Sequence, residues 1–326
     1  MSIRHSVLHA LLSSPEPTVA IDVASDHVAI VQLDWTKHGL MLTAHARAEL
    51  PCGTVTPGVN DPNIPNHKAL TNAFRSVFDQ LPRQPVRVAM TVPDNSAKVS
   101  LVRFKSVPDR TADLTQLIRW QVRKSAPFRL EDAQVSYIRG VRSNASQQFI
   151  VALMRRDVVE AYEQACQTAG AHAGLIDLAS FNLINLAMNF SVPNIEADWL
   201  LVHVAKEHCT FAIVRDKNLI FFRNRPIEDE NNLPDLLHQT IMYYHDRLGG
   251  TSFTRAFLAG GVYFDGAGRR CDTLRRDLEV RLGVTVETIG LTIPTPVVES
   301  TGGDTSFLDS LAAPIGILLR NRVGHA

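Results

Sequence analysis

Two short polar turns, each placed after an apolar strand, carry the groups of this sequence that are suited to bind phosphate. The first turn, Ala24 to Asp26, follows Asp22 in AIDV, and the second contains Ala205 and Lys206 after LVHV. When two such turns face each other across a cleft, their backbone amides can hold a polyphosphate while an acidic residue orients a metal ion through water. The pattern predicts a nucleotide cleft, although hairpins with polar turns are common and Asp22 can equally cap a turn.

Other patterns for catalysis or metal binding are weak. His238 and His245 lie on one predicted helix, HQTIMYYHD, but two turns separate them, whereas a helical metal-binding pair is spaced i, i+4. No GxSxG nucleophile turn occurs, and GTSFTRAFLAGG lacks the lysine of a P-loop. The four cysteines stand far apart, which favours reduced thiols over a zinc site or a disulfide framework. The sequence therefore predicts no catalytic residue and no direct metal site.

Composition restricts the class of protein and its partners. Lys and Arg together number 33, as do Asp and Glu, so no net positive field favours nucleic acid as a partner. No stretch approaches the roughly 20 apolar residues of a membrane span, and Met1 to Ser14 lacks the continuous apolar segment of a secretory signal. We expect a cytoplasmic protein that is not transmembrane.

Residues 1–16 are predicted to form an N-terminal tail or an amphipathic segment. Ile3, Val7 and Leu11 recur at helical spacing, and such a stripe can lie on a membrane or on a partner. The segment is short, so a helix docked on its own protein or a frayed tail is the favoured interpretation.

The elements that position the two turns are predicted to form two lobes. In the first lobe, residues 17–190, a hairpin over 18–33 extends into a meander, and a helix over 66–80 precedes the strand VRVAMTV. A small subdomain is inserted at residues 100–140, with a strand, a helix over about 111–125 and a second strand. QFIVALMRR is expected to return to the main sheet, and a helix, a strand and another helix complete the lobe.

A second lobe is predicted to repeat the opening of the first. Residues 191–198, SVPNIEAD, have the polar, proline-containing composition of an inter-lobe linker. Residues 199–326 then show strand, polar turn and strand again, and they end in a closing helix. The connection RPIEDENNL is short, which indicates a reduced second small subdomain. The order of elements predicts a two-lobed α/β fold.

Several blocks of the sequence resemble the PilM family, the actin-like proteins of type IV pilus assembly. AIDVASDHVAIVQL is similar to the family's first phosphate motif, and VAMTVPDNSAKVSLVRFKSVP to its strand, proline turn and strand. LTQLIRWQVRKSAPFRLEDAQVSY is similar to the signature of the inserted subdomain and is the most specific block. GLIDLASFNLINLA, RAFLAGG and SLAAPIGILLR resemble the connecting strand and helix, the adenosine motif and the closing helix.

The resemblance implies a two-lobed actin-like ATPase (ribonuclease H-like) fold with a site for ATP and Mg²⁺. The residues at the positions of that site's motifs are Asp22, Ala24, Ser25, Asp26, Ala205, Lys206, Thr210, Gly260 and Gly261. It further implies a cytoplasmic protein, peripheral at the inner membrane, that docks the cytoplasmic tail of a single-pass partner of the PilN type.

Departures from the family pattern weaken the nucleotide site. In the first loop, Ala24 and Ala29 stand where the family has Gly and Lys, so a methyl group sits where backbone must approach phosphate. In the second loop, His203 and Ala205 replace Asp and Gly, and an imidazole does not replace a carboxylate near Mg²⁺. We expect a docking platform with a degenerate nucleotide site; an active ATPase and a platform component of type II secretion are the alternative interpretations.

The partner site is predicted on the first lobe, where the insertion meets the main layer. Pro127 cannot continue the helix before it, so the chain turns and leaves Trp120 and Phe128 as a ledge for an extended peptide. The alternative is that these aromatic residues form only the core of the insertion.

Overall fold

The structure, a computed structural model, describes residues 17–37, 39–190, 197–227, 232–260, 269–293 and 305–320. The predicted N-terminal segment, Gly261 and residues 191–196 of the predicted linker lie outside this part. The strands are β1 Val19–Val23, β2 His27–Thr36, β3 Gly39–Glu49, β4 Arg87–Val92, β5 Ala97–Phe104, β6 Ala133–Arg142, β7 Gln147–Arg155, β8 His172–Leu178, β9 Trp199–Val204, β10 His208–Arg215, β11 Asn218–Pro226, β12 Arg255–Gly260 and β13 Val286–Thr288. The α-helices are α1 His67–Phe78, α2 Thr111–Val122, α3 Arg156–Thr168, α4 Ala179–Phe190, α5 Asn232–Leu248, α6 Arg269–Leu282 and α7 Thr305–Leu318.

Both lobes are built on a five-stranded sheet of the same topology. The first sheet has the order β3-β2-β1-β4-β8, and the second has the order β11-β10-β9-β12-β13. In each sheet the three hairpin strands pair antiparallel, and the other two strands run parallel to the central strand. The prediction that the chain starts the same architecture twice is confirmed.

The central strands β1 and β9 have matching burial patterns. Each is apolar and buried except at its penultimate residue, which is Asp22 in β1 and His203 in β9. A strand covered on both faces reads as a continuous apolar run, so an isolated polar residue near its end marks the point where the strand meets solvent or a site. The two side chains thus occupy equivalent positions in the two lobes.

The inserted subdomain is larger than predicted, and one strand was misplaced. QFIVALMRR was expected to return to the main sheet, but β7 is the central strand of a separate sheet ordered β5-β7-β6, covered on one face by α2. Phe149, Val151 and Leu153 pack under that helix, while Ile150 joins the main core. Because β7 is apolar on both faces, its sequence looks like a buried parallel strand.

The closing helix α7 packs mainly on the first lobe, although the sequence analysis grouped it with the second. It lies against α4, β1, β2 and β4, and the core around it also includes residues of the second sheet, such as Leu201 and Phe257. Gly316 allows α7 and α4 to approach closely, because a Cβ there would lie 1.9 Å from the Asn182 carbonyl oxygen. The helix therefore joins the two lobes.

A buried carboxylate fastens the start of the second lobe. Asp198 accepts hydrogen bonds from Arg215 Nε at 2.8 Å and Nη2 at 2.5 Å, and from the Tyr244 hydroxyl at 2.5 Å. A bidentate guanidinium contact of this kind fixes orientation as well as distance.

In the described part of the chain, no helix is long and apolar enough to cross a membrane.

Candidate functional site

A cavity of about 310 Å³ lies between the lobes and is lined by both predicted turns. It brings together most of the predicted site residues, namely Asp22, Ala24, Ser25, Asp26, Ala205, Lys206 and Gly260. Thr210 does not line the cavity, but it contacts a buried carboxylate beneath it. Gly261 lies outside the described residues. The closing helix contributes Asp309, which sequence reasoning did not single out.

The two turns share one backbone hydrogen-bond pattern. The amide of Ala24 donates to the carbonyl of His27 at 2.9 Å, and the amide of Ala205 donates to the carbonyl of His208 at 2.9 Å. None of the turn residues has a positive φ, since Asp216 and Lys217 are the only such non-glycine residues described. Alanine therefore causes no left-handed backbone strain in either turn, and the amides of Ala24 and Ala205 already have partners.

Asp22 projects into the cavity from the first lobe. Its Oδ1 accepts a hydrogen bond of 2.5 Å from the Thr91 hydroxyl on the neighbouring strand β4. Burial raises the pKa of Asp22, and this effect outweighs the opposing influence of His27, Thr91 and His203. The surroundings of Asp22, the retained acidic residue of the first loop, therefore disfavour its charged form.

Asp94, which the sequence analysis did not identify, is the centre of a hydrogen-bond network between the lobes. This fully buried residue accepts from the Ser180 amide at 2.9 Å, from the Ser180 hydroxyl, and from the Thr210 hydroxyl at 2.6 Å. His203 Nδ1 lies 3.2 Å from Asp94 Oδ2 and 2.9 Å from Ser180 Oγ. Asn224 extends the network by donating to Thr210 Oγ1 at 2.9 Å. Asp94 and Ser180 belong to the first lobe, and the other three residues belong to the second.

Charges within this network reinforce one another. Burial acts to raise the pKa of Asp94, but the hydrogen bond and charge of His203, with His208 and Ser180, lower it to about 2. Burial acts to lower the pKa of His203, yet the hydrogen bond and charge of Asp94 raise it above its ordinary value. The histidine that replaces the expected carboxylate is thus the partner of a carboxylate from the opposite lobe.

Asp309 of α7 closes the cavity from the side of the predicted adenosine motif. Its Oδ2 accepts from the Gly260 amide at 2.5 Å, while Oδ1 is buried without a hydrogen-bond partner among the described residues. Burial raises the pKa of Asp309 to about 7, against the effects of Gly260 and His203. Gly260 has φ +73°, and a Cβ there would lie 2.0 Å from the Val204 carbonyl oxygen, so only glycine fits.

These residues do not fit a direct magnesium site. No group of three or more His, Cys, Asp or Glu side chains in the described ranges is placed to hold a metal ion. The Asp94 carboxylate is surrounded by four donors, and Asp22 accepts from Thr91. An ion in this cavity would have to be held through water by Asp22 or Asp309, since a hard cation prefers oxygen ligands that are not already paired.

A second cavity, of about 360 Å³, runs along strand β6 of the insertion. Its apolar side chains are Ile138, Ile150, Phe181, Ile184, Met188 and Leu219. β6 is an edge strand, because it pairs with β7 alone in the described sheets. Ile138 is 53% exposed, which is unusual for an isoleucine in a strand and leaves apolar surface open along this groove. We call this cavity the β6 groove.

The structure separates the three residues predicted to bind a partner. Trp120 is 68% exposed on α2, and Pro127 is exposed in the loop that follows. Phe128 packs partly into the core of the insertion and lines a cavity with residues of α3, whose lining does not include Trp120. None of the three lines the β6 groove. Sequence could have pointed to that groove through Ile138, an apolar residue out of phase with its neighbours Val135 and Tyr137.

Two lobes with the same strand order, joined across a cleft lined by two equivalent hairpin turns, define a protein of the actin-like ATPase fold. The family model of the type IV pilus assembly protein PilM matches residues 20–232, which is more than half of the chain. The chain therefore belongs to the PilM family, as the sequence blocks predicted.

Several solved structures are similar to this chain. A PilM–PilN type IV pilus biogenesis complex superposes with a TM-score of 0.75 at 14% identity, covering 94% of this chain and 99% of that one. A Bacteroides thetaiotaomicron protein with an actin-like ATPase fold gives 0.49 at 11% identity, covering 89% and 94% of the two chains. The cytoplasmic domain of EpsL, from the type II secretion system of Vibrio cholerae, gives 0.45 at 10% identity, covering 74% and 80%. No curated protein matches significantly.

Proposed function

We propose that this protein is a cytoplasmic docking platform of type IV pilus assembly that binds the tail of a PilN-type inner-membrane protein in the β6 groove. The observation that carries the proposal is the edge of β6, which has no second strand partner among the described residues, beside exposed apolar surface. Support also comes from the similar solved structure of a PilM–PilN type IV pilus biogenesis complex. The location refines the sequence prediction, since the groove lies where the insertion meets the main layer, but its residues differ from Trp120, Pro127 and Phe128.

The β6 groove suits an extended peptide. Main-chain groups on the free edge of a strand can bond to an added strand, while alternate side chains of the peptide enter apolar pockets. Ile138 and Phe181 both line the groove, the first contributed by the insertion and the second by α4. Lys217 and Arg320 also line it, whereas Asp177 is paired with Arg320 at 3.0 Å. We expect a peptide with spaced apolar residues and at least one acidic residue.

We further propose that the nucleotide cleft is degenerate. Its central carboxylate, Asp94, is enclosed by donors of the protein itself, and His203 stands where the second loop would supply an acidic residue. Phosphoryl transfer depends on positioned cations and free carboxylates around the phosphates, and the described residues leave few such groups unpaired. ATP and Mg²⁺ are therefore expected to bind weakly, through Asp22, Ser25 and Gly260, and to be turned over no faster than in buffer.

The localisation follows from the proposed partner. A chain that docks the tail of a bitopic protein is held at the inner membrane on its cytoplasmic face without inserting into it. Two alternative functions are an active ATPase and a platform of type II secretion. A phosphate-release assay tests the first. Capture of the chain with its membrane partner from the native cell separates the second alternative, since the identity of the co-purified protein names the system.

A photo-crosslinking map tests the docking site directly. A peptide with the sequence of the PilN-type tail from the same cell, carrying a photoreactive residue at successive positions, is irradiated with the purified protein. We expect crosslinks to residues of β6 and α4, and protection of β6 amides from hydrogen exchange. Crosslinks confined to the surface around Trp120 and α2, or to the second lobe, would show that the β6 groove is not the docking site.

A further inference from the structure

A groove of about 610 Å³ lies between the lobes where β5 of the insertion runs past β11. Both strands are edges: β5 is at one end of the order β5-β7-β6, and β11 is at one end of the second sheet. The two strands contact each other without pairing. We call this the β5–β11 groove, and it shares only His208 with the lining of the nucleotide cleft.

The charge of this groove is one-sided. Lys98, Arg223 and Arg225 line it, and no Asp or Glu is among its described lining residues. Within the described part of the chain, none of the three cations forms an ion pair, although the protein as a whole has equal numbers of acidic and basic residues. A concave surface lined by charges of one sign raises the local concentration of the opposite charge.

Arg223 is held in place without a carboxylate. Its guanidinium carbon lies 5.1 Å from the centre of the Phe221 ring and 5.6 Å from that of Tyr243. Burial, together with the like charge of Arg225, lowers the pKa of Arg223 below its ordinary value. Stacking on two aromatic rings fixes the planar group while leaving its N–H donors available. Two neighbouring cations kept close without neutralisation are suited to receive an anionic group.

His208 supplies a second observation at the same place. It is 3% exposed, and its Nε2 has no hydrogen-bond partner among the described residues. Burial lowers the pKa of His208 to about 4, so the ring is neutral near pH 7 and offers a donor or an acceptor according to its tautomer. A buried polar atom without a partner is uncommon in native proteins, and a bound ligand group is one of the explanations for it.

We propose that the β5–β11 groove binds an extended acidic segment of a partner protein, with carboxylates against Lys98, Arg223 and Arg225 and main chain along the strand edges. An extended peptide fits better than a compact anion because apolar side chains line the groove beside the cations on both strands. Val99 and Phe222 also line the groove. Since this groove is separate from the β6 groove, a platform of this form can hold two partners at once. Binding of an acidic peptide at this groove does not depend on the function proposed above; only the control with the PilN-type tail rests on it.

The test uses a labelled peptide in which glutamate alternates with valine, and fluorescence anisotropy with the full chain. We expect binding that weakens with salt, and hydrogen-exchange protection on β5 and β11. Lys98→Glu combined with Arg225→Glu changes two exposed side chains and should lower the affinity at least about 10-fold. Lys105→Glu combined with Lys124→Glu, two exposed lysines outside the groove, is the matched control and should lower it less than about 2-fold.

Separate arms distinguish other occupants. If inorganic polyphosphate binds at the groove and the peptide does not, the proposal is overturned in favour of a phosphate ligand. Equal loss of affinity in both double variants would show general charge attraction and would overturn it too. Arg223→Gln, with its melting temperature measured alongside, should weaken peptide binding while leaving the PilN-type tail bound at the β6 groove. If the acidic peptide instead protects the β6 amides from hydrogen exchange, both peptides bind at one site and the proposal is wrong.

Discussion

The nucleotide cleft and the β6 groove, two cavities of similar volume, differ in how far the protein satisfies its own groups. In the cleft, Asp94 is enclosed by donors from both lobes, and Asp22 accepts from Thr91. In the β6 groove, an edge strand is unpaired and Ile138 is about half exposed. Unsatisfied surface gains most from a partner, because hydrogen bonds already made have to be broken before a ligand can replace them.

Under the proposed function, this comparison separates a binding surface, the β6 groove, from a cleft whose polar groups hold the protein together. In the cleft, side chains of the two lobes bond to each other through Asp94. The β6 groove has an edge strand beside exposed apolar surface. The predictions that follow perturb one cavity and observe the other.

Removal of the Asp94 carboxylate should have the largest effect. Asp94→Ala leaves His203 and Thr210 without their buried acceptor, and breaking a buried ion pair costs about 3–5 kcal/mol of unfolding free energy. Urea unfolding at pH 7 measures the loss, with Asp109→Ala, an exposed loop acid, as the control. A variant within about 1 kcal/mol of the unsubstituted protein would show that the network does not hold the lobes together.

Substitution in the β6 groove should act on binding more than on stability. Ile138→Asp places a charge on the apolar wall and should weaken the PilN-type tail peptide at least about 10-fold, measured by calorimetry. Trp120→Ala is the matched control, since this exposed residue does not line the groove, and it should change the affinity less than about 2-fold. If the two variants exchange these results, the ledge predicted from sequence is the true docking site.

How far the sequence alone could lead is clear from these two cavities. Both turns of the cleft were predicted because apolar strands flank them and the pattern occurs twice. Asp94 was missed because it lies in a proline turn, VPDN, and its partners Ser180 and Thr210 are 86 and 116 residues away. Local spacing gives no signal for contacts of that kind, and an Asp after Pro reads as an ordinary turn residue.

The insertion shows a different limit. Its helix and first strand were placed within a few residues, but β7 was assigned to the wrong sheet because an apolar run does not say which sheet buries it. Because β7 is central to the insertion, β6 becomes an edge strand beside α4, and the β6 groove that forms there is not lined by Trp120 or Phe128. Which of the two places binds a peptide stays a prediction, and the pair of variants Ile138→Asp and Trp120→Ala tests it.

The Asp309 carboxyl group should give the cleft a measurable pH dependence. Its pKa of about 7 lies above the ordinary value of 3.8, so the folded state disfavours its charged form. The resulting penalty is absent below pH 3.8 and is complete above pH 7. Asp309→Asn keeps an acceptor for Gly260 and should raise the melting temperature at pH 8 by about 2 °C more than at pH 5. An equal change at both pH values would contradict the raised pKa.

The smallest expected effect is that of ATP. Addition of ATP and Mg²⁺ should produce phosphate no faster than a buffer control, and tail-peptide affinity should be unchanged, because Asp22 and Asp94 are already hydrogen-bonded within the protein. A phosphate-release assay with Asp22→Ala as comparison checks this. Turnover that disappears in Asp22→Ala would establish an active ATPase and would remove the contrast between the two cavities.

The closing helix α7 has a consequence for how the chain is made. It packs on β1, β2 and β4, so the last described helix to leave the ribosome completes the core around the first strands. Contacts between distant parts of a chain form late, because the loop between them has to be closed first. During translation the apolar face of the first lobe therefore stays exposed until α7 is made, and chaperones can cover that surface.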